Sequence, residues 1–303
     1  MTPPRYRTFS AWAREHFASK ARKITLDAGL TCPHRDSRGR GGCIYCNDRG
    51  SGTGAHARGL SVADQLELGI RRLSSPGRKT VFIAYFQSFT NTYAPPETLS
   101  SIYDEVLSFP EVAGLSIGTR PDCIDEEKLG LIAGYTDRLT VWVEYGLQSA
   151  SDETLRLINR GHDVKTFVDA VELTSRFGLR ICAHAIIGLP GEGMDHYLKT
   201  ARLLSLLPVT DVKIHLLYVV KGTPLEDLFR RGAYRPLEPA EYAEAVARFI
   251  GNLREDIVIQ RITGDPHPSE LVSPSWALDK AMVRSIVHET MDRLGILQGS
   301  LRG

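Results

Sequence analysis

Three cysteines lie close enough in the chain to share one metal site: Cys32, Cys43 and Cys46, in the spacing C-x10-C-x2-C. Thiolates of this kind ligate zinc or iron–sulfur clusters. Gly39, Gly41 and Gly42 fall between the first two cysteines, so the intervening loop can fold tightly and bring three sulfurs to one point. Two chemistries compete. Structural zinc takes four closed ligands, and His34 could stand beside the three cysteines as the fourth. A cluster of four irons on three cysteines leaves one iron open to a small molecule. Position favours the cluster, because the segment directly follows a strand, at the mouth where barrel enzymes keep their chemistry.

The remaining cysteines, Cys123 and Cys182, stand apart and read as small apolar residues. Cys123, just after Arg120-Pro121-Asp122, is also a candidate reactive thiol. Five cysteines with three crowded together do not make a disulfide framework; they indicate a metal site in a reducing compartment, so a cytoplasmic location is expected. No apolar run approaches the roughly 18 residues of a membrane span, and the start of the chain lacks a secretory pattern. Net charge is +1 over 303 residues, which gives no general case for nucleic acid. The charge is uneven, however. Residues 1–23 carry Arg5, Arg7, Arg14, Lys20, Arg22 and Lys23 against Glu15 alone. That stretch is either a solubilising basic segment or a contact surface for an anionic substrate.

The elements that must position these residues recur as an apolar run followed by an amphipathic segment. Strands are expected at Lys23–Asp27, Thr80–Phe86, Gly114–Thr119, Thr140–Gly146, Arg180–Ile187 and Asp211–Val219. Helices are expected after Ser61, over Glu97–Phe109 and Asp125–Tyr135, after Ser151 and Asp163, and over Met194–Leu207 and Pro239–Leu253. Six strand–helix repeats imply a parallel sheet with right-handed crossovers. The strands are not apolar on both faces. Glu144 interrupts the fourth, Cys182 and His184 share a face of the fifth, and Lys213 and His215 share a face of the sixth. One titratable face on neighbouring strands describes a wall around a polar cavity. The expected architecture is therefore α/β: a partial (β/α)6 barrel over residues 23–256. A basic segment, 1–22, precedes it, and a closing extension, 257–303, contains the apolar run Ile257–Ile262 and a helix from Trp276 to about Leu294.

With these motifs assembled, the chain resembles the radical S-adenosylmethionine (SAM) superfamily, in the branch with widened cysteine spacing that includes the Elongator-type catalytic subunit. Within it, the sequence is more similar to a bacterial family carrying C-P-x-R-D before G-G-C-x-aromatic-C-N. Here these are Cys32-Pro33-His34-Arg35-Asp36 and Gly41-Gly42-Cys43-Ile44-Tyr45-Cys46-Asn47. The likeness runs from about Arg5 to Leu294.

The resemblance implies a [4Fe–4S] cluster on Cys32, Cys43 and Cys46. It also implies SAM bound at the fourth iron, and reductive cleavage of SAM to a 5′-deoxyadenosyl radical that takes hydrogen from the substrate. It places Tyr45 against the adenine. The turn Tyr85-Phe86-Gln87-Ser88-Phe89-Thr90-Asn91-Thr92-Tyr93 stands where the superfamily has a Gly-Gly-Glu-like motif, so one of Gln87, Ser88 or Thr90 is implied to meet the SAM amino group. Gly118-Thr119-Arg120-Pro121-Asp122 resembles the Elongator-type Thr-Arg-Pro-Asp. Arg120 suits a carboxylate or phosphate, with an ion pair to Asp122 as the rival. In Val143-Glu144-Tyr145-Gly146-Leu147-Gln148-Ser149, Glu144 and Gln148 take ribose-contact positions. Gly188 and Gly191 allow close approach to the adenine, while Glu192 caps the next helix. His184, Lys213 and His215 are candidates for touching substrate or SAM.

The resemblance also implies tRNA as partner, with modification of the wobble-uridine C5 side chain, and a flavodoxin- or ferredoxin-type electron donor. Tyr6, Phe9, Trp12 and Phe17 would serve RNA stacking; alternatively, Phe9, Trp12 and Phe17 form the apolar stripe of a docking helix. A small molecule or peptide substrate, and a zinc-stabilised RNA-binding module without catalysis, are the other readings.

Overall fold

Strands spaced by capped amphipathic helices close into one curled parallel sheet. The computed structural model describes residues 4–36, 41–47, 50, 52–77 and 79–302; Gly39 lies outside them. The strands are β1 (Lys20–Leu26), β2 (Thr80–Phe86), β3 (Val112–Thr119), β4 (Thr140–Gln148), β5 (Arg180–Ile187), β6 (Asp211–Leu216), β7 (Val219–Val220), β8 (Val258–Arg261) and β9 (Leu271–Ser273). The helices are α1 (Phe9–Phe17), α2 (Val62–Leu73), α3 (Pro96–Asp104), α4 (Glu126–Ala133), α5 (Asp152–Leu157), α6 (Val164–Ser175), α7 (Met194–Leu206), α8 (Pro224–Arg230), α9 (Pro239–Gly251) and α10 (Lys280–Leu294). The sheet runs β1-β2-β3-β4-β5-β6-β8, every neighbour parallel, as a seven-stranded half-barrel. Its seventh strand comes from the short apolar run at 257–262, so that part of the extension completes the sheet.

Caps fall where polar side chains can take up free amide hydrogens at helix starts. Ser61, Ser151 and Asp163 accept from Asp64, Thr154 and Thr166 respectively. The segment expected as one helix at 97–109 ends its α-helix at Asp104 and finishes as a 3-10 turn, Glu105–Ser108. The final helix likewise starts at Lys280, after a separate 3-10 turn at Ser275–Leu278.

The alternation in the strands divides the molecule. Leu26, Phe86, Ile117, Val143, Tyr145, Ala183 and Ile214 point outward into the main core beneath the helices. Ser116, Glu144, Cys182, His184, Lys213 and His215 point inward. At the N-terminal ends of the strands the lumen is plugged. Trp12 of α1 meets Trp142 edge-on at 5.4 Å, with Cys182, Ile83 and Val258 beside them. The Arg180 guanidinium lies 4.3 Å from the Trp12 ring and pairs with Asp211 at 2.8 Å.

This plug settles the role of the N-terminal aromatics. Trp12 is buried and Phe9 and Phe17 pack against the same cluster, so these three form the docking stripe, while Tyr6 is buried separately in the main core beside His288. Arg5 pairs with Asp292, and the Ile259 amide donates to the Arg7 carbonyl at 2.8 Å, which ties the start of the chain to β8 and α10. Replacing Trp12 with Ala is expected to cost about 3 kcal/mol, the low end for emptying a large aromatic site. Urea unfolding measures it; a loss below about 1 kcal/mol would show that α1 is not part of the cooperative core.

Among the described residues no helix is long and apolar enough to cross a membrane.

Candidate functional site

At the C-terminal ends of the strands the lumen opens into a cavity of about 290 Å³, at the small end of the range for ligand sites. Its wall includes Cys32, Cys43 and Cys46 together, from the loop after β1. Backbone bonds fix this loop. The Ile44 amide donates to the Ile158 carbonyl at 3.1 Å, the Asn159 side-chain amide to the Gly42 carbonyl at 2.8 Å, and the Leu225 amide to the Ile44 carbonyl at 2.9 Å. Gly41 and Gly42 adopt φ of 95° and 86°, which only glycine takes freely.

Arg160 follows α5 and is buried among these groups. Its guanidinium donates to the Gly146 carbonyl at 2.7 and 3.2 Å and reaches Cys43 Sγ at 3.5 Å. The Cys46 thiol hydrogen-bonds Cys43, and this bond together with the Arg160 charge holds Cys43 well below the usual thiol range. The same bond, with burial, pushes Cys46 well above it. Arg160 has no acidic neighbour in sequence to advertise it, and 117 positions separate it from Cys43; the motif analysis missed it. Its seat depends on Gly146, where a Cβ would come within 2.5 Å of Gln148 Nε2 and 2.6 Å of Arg160 Nη2. Gly146→Ala is expected to cost about 1–3 kcal/mol by overpacking, read as a lower thermal midpoint; an unchanged midpoint would mean that both side chains yield freely.

His34 does not complete a set of four ligands around the cysteines. Its ring packs against Gly161, where a Cβ would approach His34 Nδ1 to 2.6 Å, and it is not part of the cavity wall.

Behind the cysteines, Glu144 is buried and fully engaged. Lys23 Nζ donates to Oε1 at 2.8 Å and His184 Nε2 bonds Oε2 at 2.7 Å; the Ser116 hydroxyl and Lys213 Nζ also donate to the carboxylate. The partners that a buried carboxylate requires are thus supplied by the protein itself. Burial alone would raise this carboxyl, but the Lys213 and Lys23 ammoniums and the His184 bond overcome it and hold Glu144 well below the usual carboxylate range. Burial pushes Lys213 down to about 7 and His184 to about 4, each against the pull of Glu144. Lys213 lies behind Glu144, over the Tyr85 ring at 3.9 Å, and does not reach the cavity.

Several other expected site residues line the cavity: Tyr45, Gln87, Thr90, Arg120, Glu144, Gln148, His184 and His215. Arg120 is committed elsewhere, with a two-pronged pair to Asp122 at 2.8 and 2.7 Å and a bond to the Arg160 carbonyl at 2.7 Å. The ion pair is the reading that the geometry bears out for it. Ser88 and Gly188 lie outside the wall; Gly188 turns the chain at φ 96° under Leu217 and Leu237. Glu192 does not cap α7; it accepts from the Ser149 hydroxyl. Cys123 is buried, and burial with Asp122 pushes its thiol up to about 12.

Some atoms in this wall are buried without a hydrogen-bond partner: Thr90 Oγ1, Gln148 Oε1 and His215 Nε2. Buried polar atoms are rarely left so in a finished site. Gln148 also holds φ of 74°, a strained backbone for a residue with a side chain. Three thiols with a buried guanidinium at one of them, facing orphaned polar atoms across a cavity, fit a cluster on three cysteines with a polar small molecule beside it.

Comparison with known proteins agrees with this geometry. Residues 31–204 match the model of the radical SAM superfamily, and residues 209–293 match that of the Radical_SAM C-terminal domain. The protein MJ0486 of Methanocaldococcus jannaschii is 38% identical over 96% of this chain and 91% of its own length. The tRNA uridine(34) acetyltransferase of Methanocaldococcus infernus is 28% identical over 60% of this chain, which spans about a third (34%) of that protein. Among solved structures, the archaeal M. infernus Elp3 superposes with a TM-score of 0.67 at 19% identity, covering 92% of this chain and 64% of that one, a likeness of fold. On the family match, with the Elongator-type protein as its structural neighbour, this chain belongs to the radical SAM superfamily of enzymes.

Proposed function

We propose that Cys32, Cys43 and Cys46 hold a [4Fe–4S] cluster, that SAM occupies the cavity beside it, and that the enzyme modifies the C5 side chain of wobble uridine in tRNA. The observation that carries the site is the wall itself, with three cysteines and the orphaned atoms of Thr90, Gln148 and His215 around one cavity. When bound and reduced, the cluster with SAM would supply radical hydrogen-abstraction chemistry. The chain's own residues prepare the place. Arg160 offsets the thiolate charge at Cys43. Thr90 and Gln148 offer polar atoms to a ligand, and Tyr45 offers a ring to the adenine. Glu144 fixes His184 through Oε2, with Lys23 and Lys213 keeping the carboxylate ionised.

The tRNA reading is supported by the partial likeness to a tRNA uridine(34) acetyltransferase. It is tested by the tRNA nucleoside profile of a strain lacking this protein. One wobble nucleoside should disappear while its precursor accumulates, and the parent gene should restore it where a Cys43→Ala gene does not. An unchanged profile would remove tRNA and direct the search to small molecules and peptides.

A further inference from the structure

Along β6 the inward residues are Asp211, which is taken up by Arg180 and Gln260 near the plug, then Lys213 and His215. Lys213 and Arg261 are register partners across β6 and β8, and Lys213 pairs with His184 on the other side. His215 is the next inward residue along β6, its ring 5.1 Å from that of His184. Lys23 and Lys213 both donate to the single carboxylate of Glu144. Arg261 and His215 both face the cavity. Arg261 makes no hydrogen bond among the described residues; its one ion pair, to Asp265, is long at 3.8 Å, and Asp265 is also claimed by Lys280. His215 Nε2 is buried and has no partner. Arg120, the guanidinium whose sequence position suggested anion recognition, spends three of its donors on Asp122 and the Arg160 carbonyl.

We propose that Arg261 and His215 form a seat for an anionic oxygen group of the substrate, a carboxylate or a phosphate, separate from the cysteine side of the cavity. The proposal rests on the reading of this cavity as the radical SAM site. A planar guanidinium presents a fork of donors matched to two oxygens of one anion. The His215 ring, with its proton on Nε2, adds a third donor from the neighbouring strand. Substrates lacking such a group would leave Arg261 and His215 unpaired, so the seat selects as well as binds.

The test uses the reconstituted enzyme saturated with SAM and reads modification of Arg261 by phenylglyoxal through peptide mass spectrometry. Inorganic phosphate and acetate are the probes. Arg261 should be modified in the SAM-loaded enzyme, and one probe should slow this by at least about fivefold, as expected for a charge-assisted fork. Protection by phosphate at the lower concentration identifies a nucleotide phosphate as the source, and protection by acetate identifies a carboxylate. In His215→Leu the protection should be lost while His215→Gln, which keeps a donor, retains part of it. Equal modification with and without both probes would overturn the seat. So would complete protection by SAM alone, which would assign Arg261 to the cofactor. Failure of the wider reading looks different: no SAM cleavage by an enzyme in which the probes still protect Arg261.

Discussion

Glu144→Gln is expected to lower the unfolding free energy by about 3–5 kcal/mol, the range for removing one partner of a buried ion pair. The cause is the company this carboxylate keeps. Lys23 and Lys213 both donate to it, and Lys213 is almost completely buried. A neutral amide leaves Lys213, already pushed down to about 7 by burial, without the carboxylate that helps it hold its proton, and leaves the Lys23 ammonium without its partner. Removing one of the two lysines should relieve the damage, so Glu144→Gln/Lys213→Met should recover at least about 1 kcal/mol of the loss, as coupled neighbours do.

The pH dependence has a defined sign. The folded carboxyl lies well below its ordinary 4.5. Its contribution is therefore fully present above that value and is lost as pH falls through the folded value; the Gln variant should lack this acid limb. Urea midpoints across pH 3–7 measure both. A Glu144→Gln protein within about 1 kcal/mol of the parent would show that the pair contributes no net stability.

Arg160→Gln is expected to reduce SAM cleavage by about 10–100-fold, the usual cost of removing a group that supports a metal ligand. The guanidinium combines two tasks, a fork on the Gly146 carbonyl and a positive charge against Cys43. Arg160→Lys keeps the charge without the fork and should fall between parent and Gln. Loss of the positive charge also makes reduction of an adjacent cluster harder, so the reduction potential should become more negative. Iron retained under chelator challenge separates ligand support from turnover. Parental cleavage and parental iron retention in the Gln variant would remove Arg160 from the site.

Much of the fold is legible in sequence because apolar runs of five to eight residues mark strands by themselves. β2 and β5 have the expected limits for that reason. β8 is harder to see. It is four residues long and carries Gln260 and Arg261, whose polar side chains serve the lumen, so the run looks like a stray piece of the extension. α1 is obscured by its basic residues, although Trp12 makes it the floor of the barrel.

In the candidate site, the cysteines and the inward alternation at Glu144 and His184 were readable from spacing. Pairings between distant positions were not. Lys23 reaches Glu144 from 121 residues away, and Arg160 reaches Cys43 from 117. No local pattern records such contacts; they are consequences of strand order. Arg120 is a position where the motif left two readings open, a ligand or its own neighbour, and Asp122 takes two of its donors.

The central claim is that three thiols at one end of the half-barrel hold a cluster with an open iron. Anaerobic reconstitution with iron and sulfide, followed by iron and sulfide analysis and assay for 5′-deoxyadenosine after reduction with SAM, tests it most directly. The account predicts about four irons and four sulfides per chain, with SAM cleaved by the parent. Single Cys32→Ala, Cys43→Ala and Cys46→Ala variants should form no 5′-deoxyadenosine. One tightly held zinc per chain with no SAM cleavage, or cleavage that survives loss of any of these cysteines, would contradict it.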